Sequence, residues 1–525
     1  MGRAVGIDLG TTYSAVAAMD YATGKVEILE NAEGEATTPS VVFFQDIDGD
    51  DEPLVGSMAK HMAGASPDNV VQFVKRNMGN PNWRFESAAG NQYTAEEVSA
   101  IILKKLKQDA ELKLGEGITD AVITVPAYFD DARRIATKQA GKIAGLNVLR
   151  VLNEPTAAAI SYGLDTDKDG TVLVYDLGGG TFDVTILRIK DLHFEVVGTD
   201  GDRNLGGFDF DNELMKFIAD DVVRQGGANI LDGNHFEAMA ELREKAEVAK
   251  RTLSNVAKTN VFVALNGKNY RTTVTRKDFE RITRSLLTRT EELVQDVLDD
   301  TGTTWDQIDH VLLIGGSTRM PMVRELVERM SGKTPETDVN PDEAVALGAA
   351  VQATLEVANG NSGEGDLDAA SFDAASSSVF FDKDIQIRDV TSQALGLLIL
   401  SDDQTHMENS TIIERNIPIP ASCTKKYATV EDNQTALHVQ VTQGEDPDPQ
   451  FVVVIGESTL KIPPHPAGSP IEVTYYYDVD QTVQIEVKDL TINQSLGSFE
   501  IDRVANMSDD DVARAADKMQ AMNVE

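Results

Sequence analysis

Two short segments of this chain nearly repeat each other, and they constrain its fold more than any other feature. Residues 5–12 read VGIDLGTT and residues 174–181 read VYDLGGGT, so Asp8 and Asp176 hold equivalent positions. Each segment is typical of a strand, an Asp-Leu-Gly turn and a returning strand. Two such units favour a duplicated fold in which two lobes share one cleft. An Asp-Leu-Gly triplet alone is also compatible with an ordinary turn, and both interpretations stay open at this point.

Residues 1–357 alternate between strand and helix signals, which predicts an α/β architecture. Within residues 182–188, apolar Phe182 and Val184 flank Asp183 with the period of a strand. The other predicted strands are residues 4–7, 121–125, 171–175 and 311–314. The predicted helices are residues 95–114, 277–300 and 341–356. Thr94 and Glu97 are expected to form a capping box at the start of the first of these helices.

The last third of the chain is organised differently. Residues 359–381 are rich in Gly, Ser, Ala and Asp and contain no Lys or Arg, which predicts a flexible acidic linker over residues 358–384. Residues 385–504 contain short strand-like runs separated by turns, at 436–442, 451–455, 471–477 and 483–487, and predict a mostly β sandwich domain. Residues 505–525 predict one short helix, at 507–523, capped by Ser508 with Asp511 three residues later.

The chain is strongly acidic. It has 47 Lys and Arg residues against 86 Asp and Glu residues, a formal net charge of −39. Because contacts with phosphate groups need Lys and Arg, this balance argues against nucleic acid and anionic membranes as partners. High solubility or adaptation to salt is the favoured explanation for such a surface, and a basic partner is the alternative.

Cysteine content and targeting signals indicate a cytoplasmic protein. Cys423 is the only cysteine, so the chain can form neither an intrachain disulfide nor a cysteine-based zinc site. The N-terminal residues lack a basic segment followed by a long apolar run, so we expect no signal peptide. We also expect no membrane span, because no uncharged apolar stretch reaches about 18 residues.

Three glycine-rich segments have the composition of phosphate-binding loops, at residues 10–12, 178–181 and 315–318. Glycine lets backbone N–H groups approach a phosphate because it has no Cβ and tolerates unusual φ angles. The first two segments are expected to join strand to strand. The sequence contains neither GxxxxGK[ST] nor a GxGxxG motif between strand and helix. A P-loop and a dinucleotide-binding fold are therefore disfavoured.

Asp8 and Asp176 each precede one of the predicted hairpin loops. Mg²⁺ prefers octahedral oxygen ligands, keeps several waters and is bound directly by few carboxylates. One Asp from each lobe could therefore hold hydrated Mg²⁺ against the β- and γ-phosphates of a nucleotide. The alternative for each residue is a turn in which the side chain hydrogen-bonds its own backbone.

Seven strings in the first 357 residues, in their order and approximate spacing, resemble the nucleotide-binding domain of Hsp70 chaperones. They are IDLGTTYSA from Ile7, ITVPAYFDDARR from Ile123, NEPTAAA from Asn153, YDLGGGTFDV from Tyr175, LGGFDFDN from Leu205, EVAKRTLS from Glu247 and IGGSTRMP from Ile314. The Asp-Gly loops alone are shared with actin and with sugar kinases. The resemblance implies a duplicated, two-lobed actin-like ATPase domain over residues 1–357, with ATP or ADP and Mg²⁺ as cofactors.

The resemblance also implies a role for each matching residue. Lys75 is similar to the lysine that contacts the transferring phosphoryl group and orients water, and Glu154 to the carboxylate that helps to position water and magnesium. The other implied catalytic residues are Asp8, Asp176, Thr181 and Asp183, of which Asp8 and Asp176 hold Mg²⁺ through water. The implied nucleotide-binding residues are Gly10, Thr11, Thr12, Gly178, Gly179, Gly180, Gly206, Gly207, Glu247, Lys250, Arg251, Ser254, Gly315, Gly316, Ser317, Arg319 and Asp342. Without the resemblance, Lys75 is an ordinary surface lysine, and the charges at 247–254 are a solvated i,i+4 pattern.

The β domain resembles, less closely, the peptide-binding sandwich of the same family, most clearly over residues 414–445. The resemblance implies a groove for an extended apolar peptide, and ordinary sandwich core is the alternative. The implied groove residues are Leu397, Ile399, Leu400, Tyr427, Val430, Leu437 and Val439. Pro126 and Arg134 resemble the relay that reports the nucleotide state to the partner domain. Arg150 matches a position that meets J-domain partners.

Three departures from the family pattern affect these expectations. Gln386 and Arg388 replace apolar residues in the linker at 385–389, and an acidic insertion precedes it, which puts linker docking and allosteric coupling in question. Only a short segment follows Val504, so the chain resembles a lid-less variant from which bound peptide is expected to leave faster. Residues 259–270 are short beside some family members, which leaves dependence on an exchange factor open.

The sequence therefore predicts an ATP-dependent molecular chaperone that hydrolyses ATP to modulate its binding of unfolded or extended apolar peptides. A J-domain co-chaperone and a nucleotide exchange factor are the implied protein partners. One alternative is a nucleotide-switched binding or scaffold protein with weak or uncoupled ATPase activity. Another is a metabolite kinase of the same superfamily, which the β domain disfavours because a kinase does not need a peptide-like groove.

Overall fold

The computed structural model describes residues 3–166, 169–337, 339–360, 385–401, 403–479, 482–500 and 506–525. Over these residues the chain is a mixed α/β protein with several sheets. The strands up to residue 202 are β1 (Arg3–Asp8), β2 (Tyr13–Asp20), β3 (Lys25–Leu29), β4 (Thr38–Pro39), β5 (Val41–Ile47), β6 (Asp50–Val55), β7 (Val70–Gln72), β8 (Phe85–Glu86), β9 (Gln92–Tyr93), β10 (Ile118–Val125), β11 (Asn147–Asn153), β12 (Gly170–Leu177), β13 (Phe182–Lys190) and β14 (His193–Asp202). The later strands are β15 (Lys258–Leu265), β16 (Lys268–Thr275), β17 (His310–Ile314), β18 (Gln386–Arg388), β19 (Leu395–Leu400), β20 (Met407–Ile413), β21 (Ala421–Ala428), β22 (Gln434–Gln443), β23 (Val453–His465), β24 (Pro470–Tyr477), β25 (Val483–Asp489) and β26 (Gln494–Glu500).

The helices of the described residues are α1 (Ser57–Met62), α2 (Ala95–Leu114), α3 (Asp131–Ile143), α4 (Glu154–Thr166), α5 (Gly207–Arg224), α6 (Phe236–Asn255), α7 (Arg276–Ile282), α8 (Arg284–Thr301), α9 (Pro321–Ser331), α10 (Ala344–Ala358) and α11 (Asp509–Ala521). Short 3₁₀ turns occur as well, including Val74–Asn77 and Gly316–Arg319. None of the helices in the described ranges is both long and apolar enough to cross a bilayer.

The first large sheet has the order β11-β10-β1-β2-β3, with β4 paired to β2. β1 runs antiparallel to β2 and parallel to β10, so the loop after Asp8 connects two neighbouring strands. Helices α2 and α3 pack their apolar side chains against one face of this sheet. We call this sheet, the two helices and residues 41–93, which pack with them, the first unit.

The second large sheet has the order β17-β12-β13-β14-β18. β12 runs antiparallel to β13 and parallel to β17, which repeats the relationship of β1 to β2 and β10. Helices α5, α6, α8 and α9 cover the outer face, and we call this assembly the second unit. The sequence repeat thus corresponds to a strand hairpin with a parallel neighbour in both sheets.

Helices α4 and α10 lie between the two sheets and contribute to a shared apolar cluster. Glycine allows their close approach. A Cβ added at Gly6 of β1 would lie 2.0 Å from the backbone N of Ala350, and one added at Gly348 would lie 1.8 Å from the carbonyl oxygen of Ala157. A larger residue at either position would push α10 away from its neighbours.

Local capping signals in the sequence are confirmed in α2 and α11. Thr94 accepts a hydrogen bond from the N–H of Glu97, and the Glu97 carboxylate accepts one from the N–H of Thr94. Ser508 accepts one from the N–H of Asp511 at the start of α11. These contacts involve residues three apart, so the sequence alone specifies them.

Two predicted helices differ from the structure. Residues 277–300 form two helices, α7 and α8, because Thr283 between them leaves the helical conformation, with a φ of −101° and a ψ of 5°. Helix α10 begins at Ala344 rather than at residue 341, because the carbonyl of Pro341 accepts a hydrogen bond from the N–H of Gly315 instead of starting a helix.

The linker segment is docked, contrary to the doubt that its composition raised. β18 adds to the edge of the second sheet in parallel with β14, and Phe194 pairs with Ile387. Ile387 packs against the cluster between the sheets, whereas Gln386 and Arg388 point outward and are exposed. Side chains alternate along a strand, so two polar residues on the outer face do not prevent docking. The expected start of the sandwich domain, residue 385, therefore lies directly before β18, which belongs to the second sheet. Most of the predicted linker, residues 361–384, lies outside the described residues.

The segment after β18 folds as two packed antiparallel sheets, in the orders β20-β19-β22-β23 and β21-β24-β25-β26. Their inner faces share an apolar core that includes Leu395, Val441, Tyr475 and Ile485. We call this part the β-sandwich.

Helix α11 returns to the first unit rather than to the β-sandwich. Val512, Ala515 and Met519 are buried with residues of α2 and α3 in one cluster. Lys104 of α2 donates hydrogen bonds of 2.7 Å to the carbonyls of Met519 and Met522. The chain before the β-sandwich is therefore held to the second unit through β18, and the chain after it is held to the first unit through α11.

Candidate functional site

A cavity of about 690 Å³ lies between the first and second units. Such a volume is typical of sites for nucleotide-sized ligands. It is lined by most of the residues that the sequence singled out, namely Asp8, Gly10, Thr11, Thr12, Lys75, Glu154, Asp176, Gly178, Gly179, Thr181, Gly207, Glu247, Lys250, Arg251, Ser254, Gly315, Gly316, Ser317, Arg319 and Asp342. Asp8 and Asp176 thus share one crevice.

The two hairpin loops face each other across this cavity. A Cβ added at Gly179 would lie 1.8 Å from Thr12 Oγ1, and one added at Gly180 would lie 2.6 Å from a side-chain carbon of Thr11. Only glycine allows the loops to approach this closely. The loops therefore present backbone N–H groups and threonine hydroxyls to one small volume, which suits an anionic ligand.

Gly315 begins the third glycine-rich loop with a φ of 83°, a conformation that other residues rarely adopt. A Cβ there would lie 2.5 Å from the carbonyl oxygen of Leu177. In the following turn, Ser317 donates a hydrogen bond of 2.9 Å to the carbonyl of Gly178. The third loop is thus fastened to the second hairpin at the floor of the cavity.

Three predicted site residues support the cavity without lining it. Asp183 is buried behind the second hairpin and accepts a hydrogen bond of 2.9 Å from the N–H of Tyr128. A Cβ added at Gly206 would lie 2.5 Å from the backbone N of Gly180, so these two glycines pack backbone against backbone. Their placement points to support of the phosphate loops rather than to direct contact with a ligand.

Lys75 and Glu154 form a buried ion pair on the first-unit side of the cavity. Lys75 Nζ lies 2.5 Å from Glu154 Oε1, and the two side chains are 4 % and 12 % exposed. Lys75 belongs to the 3₁₀ turn Val74–Asn77, and Glu154 is the first residue of α4. A sequence-based surface interpretation of Lys75 is therefore wrong.

The carboxyl groups near this pair carry more negative charge than Lys75 compensates. Burial, followed by the nearby Glu154, raises the pKa of Asp8 to about 7 and that of Asp183 to about 7. The same causes raise the pKa of Asp176 well above its ordinary value. A cation beside Asp8 and Asp176 would reverse this effect, so the donor set fits Mg²⁺. In the described part of the chain no group of three acidic, histidine or cysteine side chains is arranged to hold a metal ion.

Helix α6 lines the opposite end of the cavity with Glu247, Lys250, Arg251 and Ser254, as the helical spacing predicts. Lys250 Nζ lies 2.8 Å from Asp211 Oδ2, a residue that the sequence analysis missed. Burial raises the pKa of Asp211 to about 6, and Lys250 opposes the shift. The string LGGFDFDN contains Asp211 one helical turn after Gly207, and this spacing could have identified it.

An ion pair bridges the two units at this same end. Lys60 of α1 lies 2.7 Å from Glu247 Oε2 of α6 and also donates a hydrogen bond of 3.0 Å to Tyr13 Oη. Arg319 and Asp342, both predicted to contact the nucleoside, pair with each other at 2.6 Å at the rim. Opening the cavity therefore requires breaking charged contacts.

Arg134 and the linker meet at one buried amide. Arg134 Nη2 donates a hydrogen bond of 2.7 Å to Asn153 Oδ1, and Asn153 Nδ2 donates one of 2.7 Å to Asp389 Oδ2. Arg134 also donates to the carbonyl of Ala127, the residue after Pro126. The relay residues named from the sequence are thus connected to the residue that follows β18.

Arg150 is less accessible than its implied contact with a partner requires. Its side chain is 13 % exposed and lies 3.6 Å from Glu356 Oε1. In this arrangement little of the Arg150 side chain is accessible for contact with another protein.

The loop between β20 and β21 contacts the second unit. Arg415 lies 3.5 Å from Asp200 Oδ2 and 3.2 Å from Glu445 Oε1, and it also pairs with Asp300. Asn416 Oδ1 accepts a hydrogen bond of 3.0 Å from the N–H of Thr199. Sequence analysis did not identify this contact, because ion pairs between residues more than one hundred positions apart leave no local pattern.

Six of the seven predicted groove residues lie on three strands of the β-sandwich, β19, β21 and β22, whereas Val430 lies in the loop after β21. Leu397 and Val439 are buried, Ile399, Tyr427 and Leu437 are partly buried against the core, and Val430 is 42 % exposed. Within the described residues the pairing of β19 with β22 ends at Leu397 and Val441. Beyond that point both strands continue without pairing to each other.

One comparison with known proteins bears on the whole chain. The family model described as Hsp70 protein matches residues 4–525.

Proposed function

The chain belongs to the Hsp70 family, and on that premise we propose that it is a chaperone in which ATP hydrolysis modulates the binding of extended apolar peptides. The first and second units would form an actin-like ATPase domain up to about residue 357, joined to a peptide-binding β-sandwich. The observation that carries the proposal is the hydrogen bond from Asn153 to Asp389, because Asn153 directly precedes Glu154 and Asp389 directly follows β18. It links the proposed catalytic site to the β-sandwich through adjacent residues.

On the ATPase side, Lys75 and Glu154 are the proposed catalytic pair. Phosphoryl transfer depends mainly on positioning and charge compensation, so one buried cation among several carboxylates is chemically suitable. Glu154 would orient the attacking water, and Lys75 would offset the charge that develops on the phosphoryl oxygens. When bound, Mg²⁺ would neutralise phosphate charge, and Asp8 and Asp176 would hold it through water.

The remaining lining residues have proposed binding roles. The hairpins at 10–12 and 178–181 would bind the phosphates, with Thr181 beside the reacting group. Helix α6 and the loop at 315–319 would hold the adenosine, because both contribute polar side chains to the cavity lining. Asp183, Gly180 and Gly206 would keep the second hairpin in place.

Coupling between the sites would run through the docked linker. Docking of β18 presents Asp389 to Asn153, and Arg134 holds the other side of the same amide. If peptide binding moves the β-sandwich, the contacts of Arg415 and Asn416 with the second unit must change. The same movement would displace β18 and Asp389, which directly precede the β-sandwich. A change at Asn153 would alter the start of α4 and hence Glu154.

On the peptide side, the lack of pairing between β19 and β22 beyond Leu397 and Val441 supports a groove for an extended segment. Unpaired backbone groups on two facing strands can hydrogen-bond to a peptide backbone, and Ile399, Leu400 and Leu437 would provide an apolar lining. Unfolded polypeptides, a J-domain co-chaperone and an exchange factor are the proposed partners. The single cysteine and reducing chemistry support a cytoplasmic location.

A single-turnover ATP assay, with and without an extended apolar peptide, tests the proposal. We expect hydrolysis at a slow basal rate that the peptide accelerates. Hydrolysis that is indifferent to peptide would contradict the coupling, and tight ATP binding without turnover would contradict the enzyme and favour a scaffold. Two features of the sequence favour the scaffold, the replacement of apolar linker residues by Gln386 and Arg388 and the acidic insertion before them. The docking of β18 weakens the first, and most of the acidic insertion lies outside the described residues.

A further inference from the structure

Phe208 lies where three parts of the cavity wall meet. It is the second residue of α5, and its N–H donates a hydrogen bond of 2.8 Å to the carbonyl of Gly179 in the second hairpin. Its half-buried ring lines the cavity together with Phe73 of the first unit. No role has been assigned to this ring so far.

Side chains from both units surround the ring. The Phe73 ring meets it edge-on at 4.7 Å between centroids and 63° between planes. The guanidinium carbon of Arg76 lies 4.6 Å from the ring centroid, and that of Arg243 also lies 4.6 Å away. We propose that Phe73, Arg76, Phe208 and Arg243 form a clasp, the Phe208 clasp, that closes the two units on the phosphate side and positions Lys75.

The clasp is connected to Lys75 by the chain itself. Phe73 directly precedes the 3₁₀ turn that carries Lys75, and Arg76 follows Lys75 within that turn. Phe73 adopts a φ of 59°, which an aromatic residue takes only when its surroundings hold it. Arg76 also donates hydrogen bonds of 2.9 and 3.2 Å to the carbonyl of Gly180 and pairs with Asp209. Separation of the ring from Arg76 would therefore move Lys75 relative to the second hairpin.

The charges around the ring explain why an aromatic side chain suits this position. Two guanidinium groups approach one ring, and burial together with the like charge of Arg76 lowers the pKa of Arg243. The electron-rich face of an aromatic ring attracts each cation, whereas an aliphatic side chain of similar size would leave the two cations to repel each other. The clasp therefore requires the ring rather than merely an apolar residue.

The opposite end of the cavity is closed in another way, by the ion pair of Lys60 with Glu247. The two closures contain ion pairs of similar burial, because the side chains of Lys60 and Glu247 are 21 % and 16 % exposed and those of Arg76 and Asp209 are 15 % and 21 % exposed. Salt screens such largely buried pairs only weakly, so the contacts of the Phe208 ring, and not salt sensitivity, distinguish the phosphate side. Phe208 is a positioning residue in this scheme, because it acts through Arg76 and Lys75.

The inference rests on the proposed nucleotide-binding function, and Phe208→Leu tests it in the full-length chain. We measure the dissociation rate of a fluorescent ADP and the single-turnover hydrolysis rate of ATP. Loss of the two cation–π contacts is expected to speed ADP release by about fivefold to thirtyfold, with slower hydrolysis. Phe208→Tyr keeps the aromatic ring, so its rates of ADP release and ATP hydrolysis should be close to those of the wild type.

Two controls separate the clasp from general effects. Phe262→Leu changes a ring in the same unit that is 56 % exposed and remote from the lining residues, and it should behave like the wild type. Arg243→Gln should speed release as Phe208→Leu does, and the double variant should add little beyond the larger single effect if the two residues act through one contact. Arg243→Gln also provides the test if Phe208→Leu does not fold.

The outcomes distinguish failure of the clasp from failure of the proposed function. A wild-type chain that binds no fluorescent ADP contradicts both. A wild-type chain that binds ADP while Phe208→Leu and Arg243→Gln release it at the wild-type rate contradicts the clasp alone. Additive effects of Phe208→Leu and Arg243→Gln also contradict it, because the residues would then act independently.

Discussion

Asn153 and Asp389 are 236 residues apart in the chain and share a buried hydrogen bond of 2.7 Å between Nδ2 and Oδ2. Asn153 ends β11 in the first unit, and Asp389 follows β18 in the second sheet. Burial raises the pKa of Asp389, and Arg134 and Arg150 oppose this shift. The bond thus joins the first unit to the linker at a site whose charge balance depends on the relay arginine.

Replacement of Asp389 should uncouple peptide binding from hydrolysis. Asp389→Ala leaves the buried amide of Asn153 without its acceptor, which costs about 1–3 kcal/mol in the docked state. We expect the peptide-stimulated component of ATP turnover to fall about tenfold, within the usual range of allosteric coupling energies, while basal turnover persists. The measurement is a single-turnover assay over a peptide titration. Asp306→Asn, in an exposed turn, is the control, and undiminished stimulation in Asp389→Ala would rule out this route.

Lys75→Ala should separate nucleotide binding from hydrolysis. The substitution removes the buried cation that faces Glu154, so charge that develops in the transition state is no longer offset. We expect a fall in turnover on the order of 10²–10³, the size seen when one preorganised electrostatic group is removed. Nucleotide binding measured by calorimetry should persist, because the loops that would hold the phosphates remain. Lys216→Ala, 62 % exposed in side chain, is the matched control, and turnover near the wild-type rate in Lys75→Ala would refute the catalytic assignment.

The raised carboxyl pKa values predict how stability depends on pH. The pKa of Asp183 is about 7 in the folded chain against an ordinary value of 3.8. Between these values the unfolded carboxyl loses its proton while the folded one keeps it, so the free energy of unfolding falls as pH rises from about 4 to 7. Asp183→Asn cannot ionise and should lose this component of the slope, so that it gains stability relative to the wild type at pH 8 but not at pH 4.

Urea unfolding of the nucleotide-free chain at several pH values measures this effect. The expected difference between wild type and Asp183→Asn is on the order of a few kcal/mol at pH 8, since each unit of pKa shift corresponds to about 1.4 kcal/mol. Asp306→Asn should leave the pH slope unchanged. MgATP should reduce the difference, because a bound cation favours ionised carboxyls. Parallel pH profiles for wild type and Asp183→Asn would show that Asp183 ionises normally.

Local patterns explain which features the sequence was able to predict. The capping boxes, the strand hairpins after Asp8 and Asp176, and the helical face of α6 all depend on residues a few positions apart. The sequence analysis put the docking of β18 in question because Gln386 and Arg388 replace apolar residues, and it did not consider on which face of the strand each side chain lies. In a strand that is exposed on one face, only Ile387 needs to be apolar.

Features that depend on tertiary contacts left no such pattern. Phe208 gains its neighbours from residues 73, 76 and 243, and no spacing in the sequence brings these together. The buried state of Lys75 likewise depends on Glu154, 79 residues later. The short helix at the end of the described chain was predicted from its cap and periodicity, whereas its place against α2 and α3 was not.

That placement makes α11 part of the first unit, and Met519→Ala tests it. Met519 is 3 % exposed and belongs to the cluster formed with α2 and α3. Truncation of a buried methionine typically costs about 2–5 kcal/mol, because it removes apolar contacts and leaves a cavity. Backbone hydrogen bonds between Glu525 and the strand residues Pro53 and Val55 would weaken with the helix. We therefore expect faster hydrogen exchange in α11, α2 and β6, with little change in the β-sandwich.

Met58→Ala, at 61 % exposure on α1, is the control for loss of a methionine side chain. Unchanged protection of α2 and β6 in Met519→Ala would mean that α11 only rests on the first unit and does not stabilise it.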